Sequence, residues 1–202
     1  MTRLPGVILA GGRATRMGGG DKGLRLVGGE SLLGRVIARL SAQCGPLALN
    51  ANGDPARFAG LGLPVLADSI EGFAGPRAGV LAGLDWAAGQ GAEAIVTAAA
   101  DTPFFPADLA ARLQEAAGPK GLALAASPDE GGVVRQHPTF GLWPVALRDD
   151  LRGALAGGLR KIVLWTEGHG AGRAIWPSVP FDPFFNVNTP EDIATAERLV
   201  GP

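Results

Sequence analysis

The sequence predicts an α/β three-layer sandwich, a mostly parallel sheet with helices on both faces. Three observations carry this. Short apolar runs bounded by turn residues recur along the chain; segments of helical spacing lie between them; and a glycine-rich, basic loop directly follows the first run. Composition agrees. The 202 residues are 47 % hydrophobic with a net charge of −1, so the chain can bury enough apolar surface to offset its ordering entropy even though 32 glycines and 16 prolines make up nearly a quarter of it. Its length fits a single domain over residues 1–202, since single cores grow to roughly 250 residues before chains split.

Strands are expected at Val7 to Ala10, Leu47 to Asn50, Pro64 to Ala67, Ala94 to Ala99, Leu122 to Ala126, Thr139 to Trp143 and Arg173 to Trp176. The clearest helix starts at Ser31 as a cap and repeats Leu32, Leu33, Val36, Ile37 and Leu40 on one face. A second runs from Pro76 to Ala88, a third follows Pro106, and a last one opens at Thr189-Pro190-Glu191-Asp192. Thr189 suits its cap, and the two acids suit its positive end. After residue 127 the alternation loosens and loops such as Ser127 to Gly132 are expected, as an extension packed on one sheet.

Several classes of function are disfavoured. Near-neutral charge argues against nucleic acid and against a polybasic membrane surface as partners. No apolar run reaches the roughly 18 residues of a membrane span and no signal-peptide core is present, which gives a cytoplasmic protein as the expectation. Cys44 alone cannot form an internal disulfide, and with His137 and His169 it is too poor a set for structural zinc.

The loop Leu9 to Gly23 is the most informative segment. Its glycines let backbone N–H groups approach an anion, and Arg13, Arg16 and Lys22 outnumber Asp21, a pattern suited to a polyphosphate. Gly18, Gly20 and Gly23 spell G-x-G-x-x-G, but too far past the strand and with no helix opening there; Lys22 lacks the Ser or Thr of a P-loop. Asp101 ends the run Ala94 to Ala100, so its carboxylate should emerge at a strand's carboxyl end, where open α/β sheets bind ligands. Read in isolation, an Asp before Thr102-Pro103 is an ordinary turn residue.

Leu9-Ala10-Gly11-Gly12, Arg16-Met17-Gly18-Gly19 and Asp21-Lys22-Gly23 together resemble the signature of the molybdenum cofactor guanylyltransferases, the MobA type. The similarity continues through Asn50-Ala51-Asn52, Pro64 to Ser69, Gly75-Pro76, Asp101-Thr102-Pro103, His137-Pro138-Thr139 and Asn186-Val187-Asn188-Thr189-Pro190-Glu191. The resemblance implies a Rossmann-like fold of the nucleotide-diphospho-sugar transferase type. It also implies transfer of GMP from GTP to the terminal phosphate of Mo-molybdopterin, with Mg²⁺ as cofactor. Contact with molybdenum cofactor biosynthesis or target proteins is a further implication. It gives Leu9, Ala10, Gly11, Gly12, Lys22, Asn50, Asp68 and Asp101 to the nucleotide and Asp101 to the metal, with Arg16 and Lys22 holding the triphosphate. Asn188, Asn186 and His137 fall on the acceptor side, although His137 before Pro138 equally suits a structural strand position. Two alternatives stay open: a cytidylyl or sugar-phosphate nucleotidyltransferase, and a non-catalytic GTP-binding delivery module. His169 between glycines reads as solvated, and the four tryptophans as packing residues.

Overall fold

The computed structural model describes residues 3–10, 22–70, 75–159 and 161–201. In chain order the strands are β1 (Gly6–Leu9), β2 (Leu26–Val27), β3 (Glu30–Ser31), β4 (Leu47–Asn50), β5 (Val65–Leu66), β6 (Ala94–Ala99), β7 (Ala123–Pro128), β8 (Val134–Pro144) and β9 (Gly172–Ile175). The helices are α1 (Leu32–Ser41), α2 (Pro76–Ala88), α3 (Leu109–Glu115), α4 (Arg148–Ala156), α5 (Ile162–Gly168) and α6 (Pro190–Val200). Seven strands form one sheet in the order β5-β4-β1-β6-β8-β7-β9. β1 pairs parallel with β4 and β6, and β7 parallel with β9, whereas β8 runs antiparallel to both β6 and β7. The expected mostly parallel sheet is present, and the region after residue 127 extends that same sheet.

Alternate side chains of each buried strand feed opposite faces. Ile8, Leu49 and Val96 pack with Leu33, Val36 and Leu40 of α1 and Leu109 and Leu113 of α3. Val7, Leu9 and Ile95 pack with Val80, Leu81 and Leu84 of α2, Leu151 and Leu155 of α4, and Ile162 and Trp165 of α5. Helix ends are set locally. Ser31 Oγ accepts from Gly34 N at 3.0 Å. Thr189 and Asp192 form a reciprocal capping box at the start of α6. Gly83 lets α2 lie close on the sheet, because a Cβ there would stand 2.9 Å from both Ile95 Cδ1 and Val7 Cγ2.

Tertiary structure adds what periodicity did not predict. β2 and β3 form a hairpin closed by Gly28 and Gly29, both at positive φ (56° and 79°), as a tight hairpin turn requires. Val27 of this hairpin packs with Leu32, Val187 and Ala196, joining it to α6. β8 begins at Val134 rather than Thr139, and Ser127 and Pro128 belong to β7, so the expected loop is a short turn within a β-hairpin. The β7–β8 register jumps from Leu124 opposite Gly141 to Ala125 opposite His137. Pro138, with no N–H to give a ladder, lies in the skipped stretch. His169 is not solvated: it caps α5, meets Trp165 edge-on at 4.4 Å, and lies 2.9 Å from both Asp150 Oδ1 and Lys120 Nζ.

Candidate active site

From β1 the chain passes to β4 on one side, while β6 lies on the other, so the sheet's switch point falls between β1 and β6. A cleft of about 310 Å³ opens there, lined among others by Leu9, Ala10, Lys22, Asp101, Thr139 and Asn186. Leu9 and Ala10 line it from the end of β1. Ala10 N donates to Asn50 O at 2.9 Å and Ala100 N to Leu9 O at 3.1 Å, so the ends of β4, β1 and β6 are tied together.

Lys22 and Asp101, far apart in sequence, meet at this cleft. Lys22 opens a single 3₁₀ turn, Lys22–Leu24, whose Gly23 is buried against Leu33 and Ala100. Its Nζ stands 3.6 Å from Asp101 Oδ2 and donates a hydrogen bond to Asn188 Oδ1. Both side chains keep between a fifth and a quarter of their surface in solvent. Beside Asp101, the Thr102 hydroxyl donates to Asn186 Oδ1, and Val187 N donates to Asp101 O at 2.8 Å. Asn186 and Asn188 thus flank a backbone bond that fastens their segment to the end of β6.

A second cluster occupies the ends of β4 and β5. Asn50, only 2 % exposed, donates its amide to Leu66 O at 3.1 Å and to Asp68 Oδ1 at 2.9 Å. Asn52 donates to Asp68 Oδ2 at 2.6 Å and accepts from Asp68 N at 2.9 Å. Each Asp68 oxygen therefore has one fixed amide donor, which sets the plane of the carboxylate. Asn52 ends the Asn50-Ala51-Asn52 segment that carries part of the family resemblance, which gives a role to Asn50 alone. Its two-residue offset from Asn50 was the available signal.

His137 sits two residues from Thr139 on β8, stacked on Phe184 with ring centroids 4.4 Å apart. Its Nε2 is 2.7 Å from Ser127 Oγ, which also donates to Asp182 Oδ1 at 3.2 Å. A carboxylate only accepts, so the Ser127 proton goes to Asp182 and the hydroxyl oxygen accepts from His137 Nε2–H. Burial holds the imidazole below its ordinary pKa, with Asp182 opposing that shift. Asp182 also accepts from Phe184 N at 3.0 Å, so the cluster anchors the segment that leads to Asn186. Gly11, Gly12, Arg13 and Arg16 lie outside the described residues.

A basic and an acidic side chain meeting at the switch point of such a sheet mark the place where open α/β proteins take their ligands, and solved nucleotidyltransferases share this fold. Molybdopterin-guanine dinucleotide biosynthesis protein A from Archaeoglobus fulgidus superposes with a TM-score of 0.71 over 98 % of each chain at 23 % identity. The 4-diphosphocytidyl-2C-methyl-D-erythritol synthase of Anaerococcus prevotii DSM 20548 does so with a TM-score of 0.70, over 100 % of this chain and 97 % of that one, at 15 % identity. The sequence is more specific: the MobA-like NTP transferase domain matches residues 6–169, and the chain belongs to that family. It is 56 % identical over 203 residues to the molybdenum cofactor guanylyltransferase of Bradyrhizobium sp. (strain ORS 278), covering 98 % of this chain and 93 % of that protein. With the protein of the same name from Mesorhizobium japonicum it shares 48 % identity, over 98 % and 96 % of the two chains.

Proposed function

We propose that this protein transfers GMP from GTP to the terminal phosphate of molybdenum-bearing molybdopterin, giving Mo-molybdopterin guanine dinucleotide and pyrophosphate. The meeting of Lys22, Asp101 and Asn188 at the switch-point cleft carries the reading. An acceptor phosphate oxygen attacks the α-phosphorus of GTP as the bond to the β-phosphate breaks. A phosphate monoester with its second pKa near 6 is mostly a dianion at neutral pH, so the attack needs no protein base. Positioning and charge neutralisation remain for the protein to supply.

Lys22 serves the second need. One of its three N–H bonds is held by Asn188, which leaves donors for the β- and γ-phosphate oxygens and the leaving pyrophosphate. Arg16 acts with it, and Gly11 and Gly12 admit the nucleotide against the backbone. Asp68, its carboxylate fixed by Asn50 and Asn52, holds the nucleoside end beside Leu9 and Ala10. Asn186, Asn188 and His137 serve the acceptor side. Among the described residues no three His, Cys, Asp or Glu side chains gather to enclose a metal. A lone partly exposed Asp101 instead fits Mg²⁺, which is commonly held by one or two carboxylates, waters and substrate phosphates. Bound there, Mg²⁺ would neutralise charge on the transferring phosphates.

Pyrophosphate release from GTP with the molybdenum-loaded pterin tests the reading. Asp101→Ala and Lys22→Met should each slow it about 10²- to 10³-fold, and CTP, ATP and UTP should be poor donors. A variant as fast as the unaltered protein refutes the assignment of that residue. A preference for CTP refutes the guanylyl reading.

A further inference from the structure

Asp192 stands outside the cleft, in the first turn of α6, where its sequence context gives it only a helix-end role. Its carboxylate does more. In a capping box the side chain of the third helical residue reaches back to the N-cap N–H. Asp192 Oδ2 does accept from Thr189 N at 2.8 Å, but the same oxygen also accepts from Asn188 N at 2.8 Å. That second N–H precedes the cap, so the helix end does not need it satisfied. The bond instead fixes the backbone of the residue that holds Lys22. With Val187 N bonded to Asp101 O, three successive N–H groups pin the segment 187–189, and Val187 itself is fully buried.

The Lys22–Asp101 separation gives this pinning a consequence. A direct ammonium–carboxylate hydrogen bond closes to about 2.7–2.9 Å, whereas this pair stands at 3.6 Å while Lys22 donates to Asn188. Asn188 holds Lys22 off Asp101, leaving both charges available. We propose that Asp192 is a positioning residue for the transfer reaction: by fixing the Asn188 backbone it keeps Lys22 from collapsing onto Asp101. The inference rests on the proposed roles of Lys22 and Asp101.

The test compares Asp192→Ala with Thr189→Ala, which removes the other half of the same capping box, at a temperature where both are folded. Both should lower the melting temperature by similar amounts. Only Asp192→Ala should lower kcat, about tenfold, a loss of the size outer-shell changes produce, with KM for GTP little changed and the half-saturating Mg²⁺ concentration raised. Asp192→Asn, which keeps an acceptor oxygen, should recover most of the rate. Asn188→Ala combined with Asp192→Ala should be no slower than Asn188→Ala alone. A readout independent of turnover is competitive acetylation of amines followed by mass spectrometry, with Lys120 and Lys161 as internal references. Lys22 should label several-fold more slowly in Asp192→Ala and unchanged in Thr189→Ala. Unchanged Lys22 labelling in Asp192→Ala, equal rate losses in the two capping variants, or losses that multiply in the double variant would overturn the proposal. Slowed labelling in a protein that releases no pyrophosphate at all supports the held position of Lys22 and refutes the functional reading instead.

Discussion

Gly79, on the face of α2 that meets the sheet, gives the sharpest test of how the proposed nucleotide end of the site is built. A Cβ added there would stand 2.8 Å from Asn50 Cγ, nearer still to its Oδ1, and 3.0 Å from Leu9 Cδ2. Gly79→Ala must therefore turn the buried Asn50 amide away from Leu66 O and Asp68 Oδ1. Losing one neutral and one charge-assisted hydrogen bond costs about 3 kcal/mol, and the gain in helix propensity returns about 1. Crowding at the site adds roughly 1–2 kcal/mol more. The net destabilisation is about 3–4 kcal/mol, which for a chain of this length lowers Tm on the order of 10 °C. Gly153 in α4 provides the control, because a Cβ there meets nothing within 4 Å, and Gly153→Ala should stabilise by about 0.5–1 kcal/mol. Denaturant titration of both variants, with GTP affinity measured on the folded protein, gives the comparison. If Gly79→Ala matches the gain of Gly153→Ala, Asn50 is not locked and the account of how Asp68 is oriented is wrong.

Three further outcomes follow from buried groups. Thr97→Val preserves shape but leaves the Trp143 indole N–H, now 2.9 Å from Thr97 Oγ1, without an acceptor; urea unfolding should show a loss of about 1–3 kcal/mol, and a change under 0.5 would contradict this. Burial pushes the Cys44 thiol from 9.0 up to about 12. The unfolded chain then ionises first, so the Cys44 contribution is intact below pH 9 and lost as pH rises toward 12, by up to about 1.4 kcal/mol per unit, a slope that Cys44→Ala should remove. His137 is shifted the opposite way, held neutral below its ordinary value of 6.5. The unfolded chain takes up the proton first, so stability should fall as pH drops below 6.5. Unfolding midpoints at pH 7.5 and 5.5 should differ less in His137→Gln than in the unaltered protein, and an equal difference would sink the assignment.

Much of the architecture was legible because local rules and burial agreed. The apolar runs at Val7, Leu47 and Ala94 became central parallel strands, Ser31 and Thr189 cap the helices expected after them, and Pro76 opens α2. Where the reading missed, the controlling partner was remote. β8 extends back to Val134 because β7 supplies a ladder there, although Arg135, Gln136 and Pro138 carry no strand pattern of their own. His169 between two glycines looked like a loop residue until α5 brought it against Trp165, Asp150 and Lys120. The Gly28-Gly29 hairpin did have a local signal, two adjacent glycines between short extended runs.

At the site, the division follows the range of the interactions. Position at a strand end made Asp101, Asp68 and Asn50 candidates, since an α/β sheet delivers the carboxyl ends of its strands to one rim, but each alone reads as an ordinary strand terminator, and the basic glycine loop and the family resemblance singled them out. The sequence alone likewise determined that Lys22 closes a basic, glycine-rich segment that follows the first apolar run. It could not determine that Lys22 stands 3.6 Å from Asp101, that Asn188 holds the pair apart, or that Asn52 and Asp192 orient the groups around them. Apart from the Asp192–Asn188 bond, which spans four residues, those relations join positions from 16 to 166 residues apart, and hydrogen bonds of about 3 Å exist only once the packed sheet and α6 have brought their donors and acceptors together.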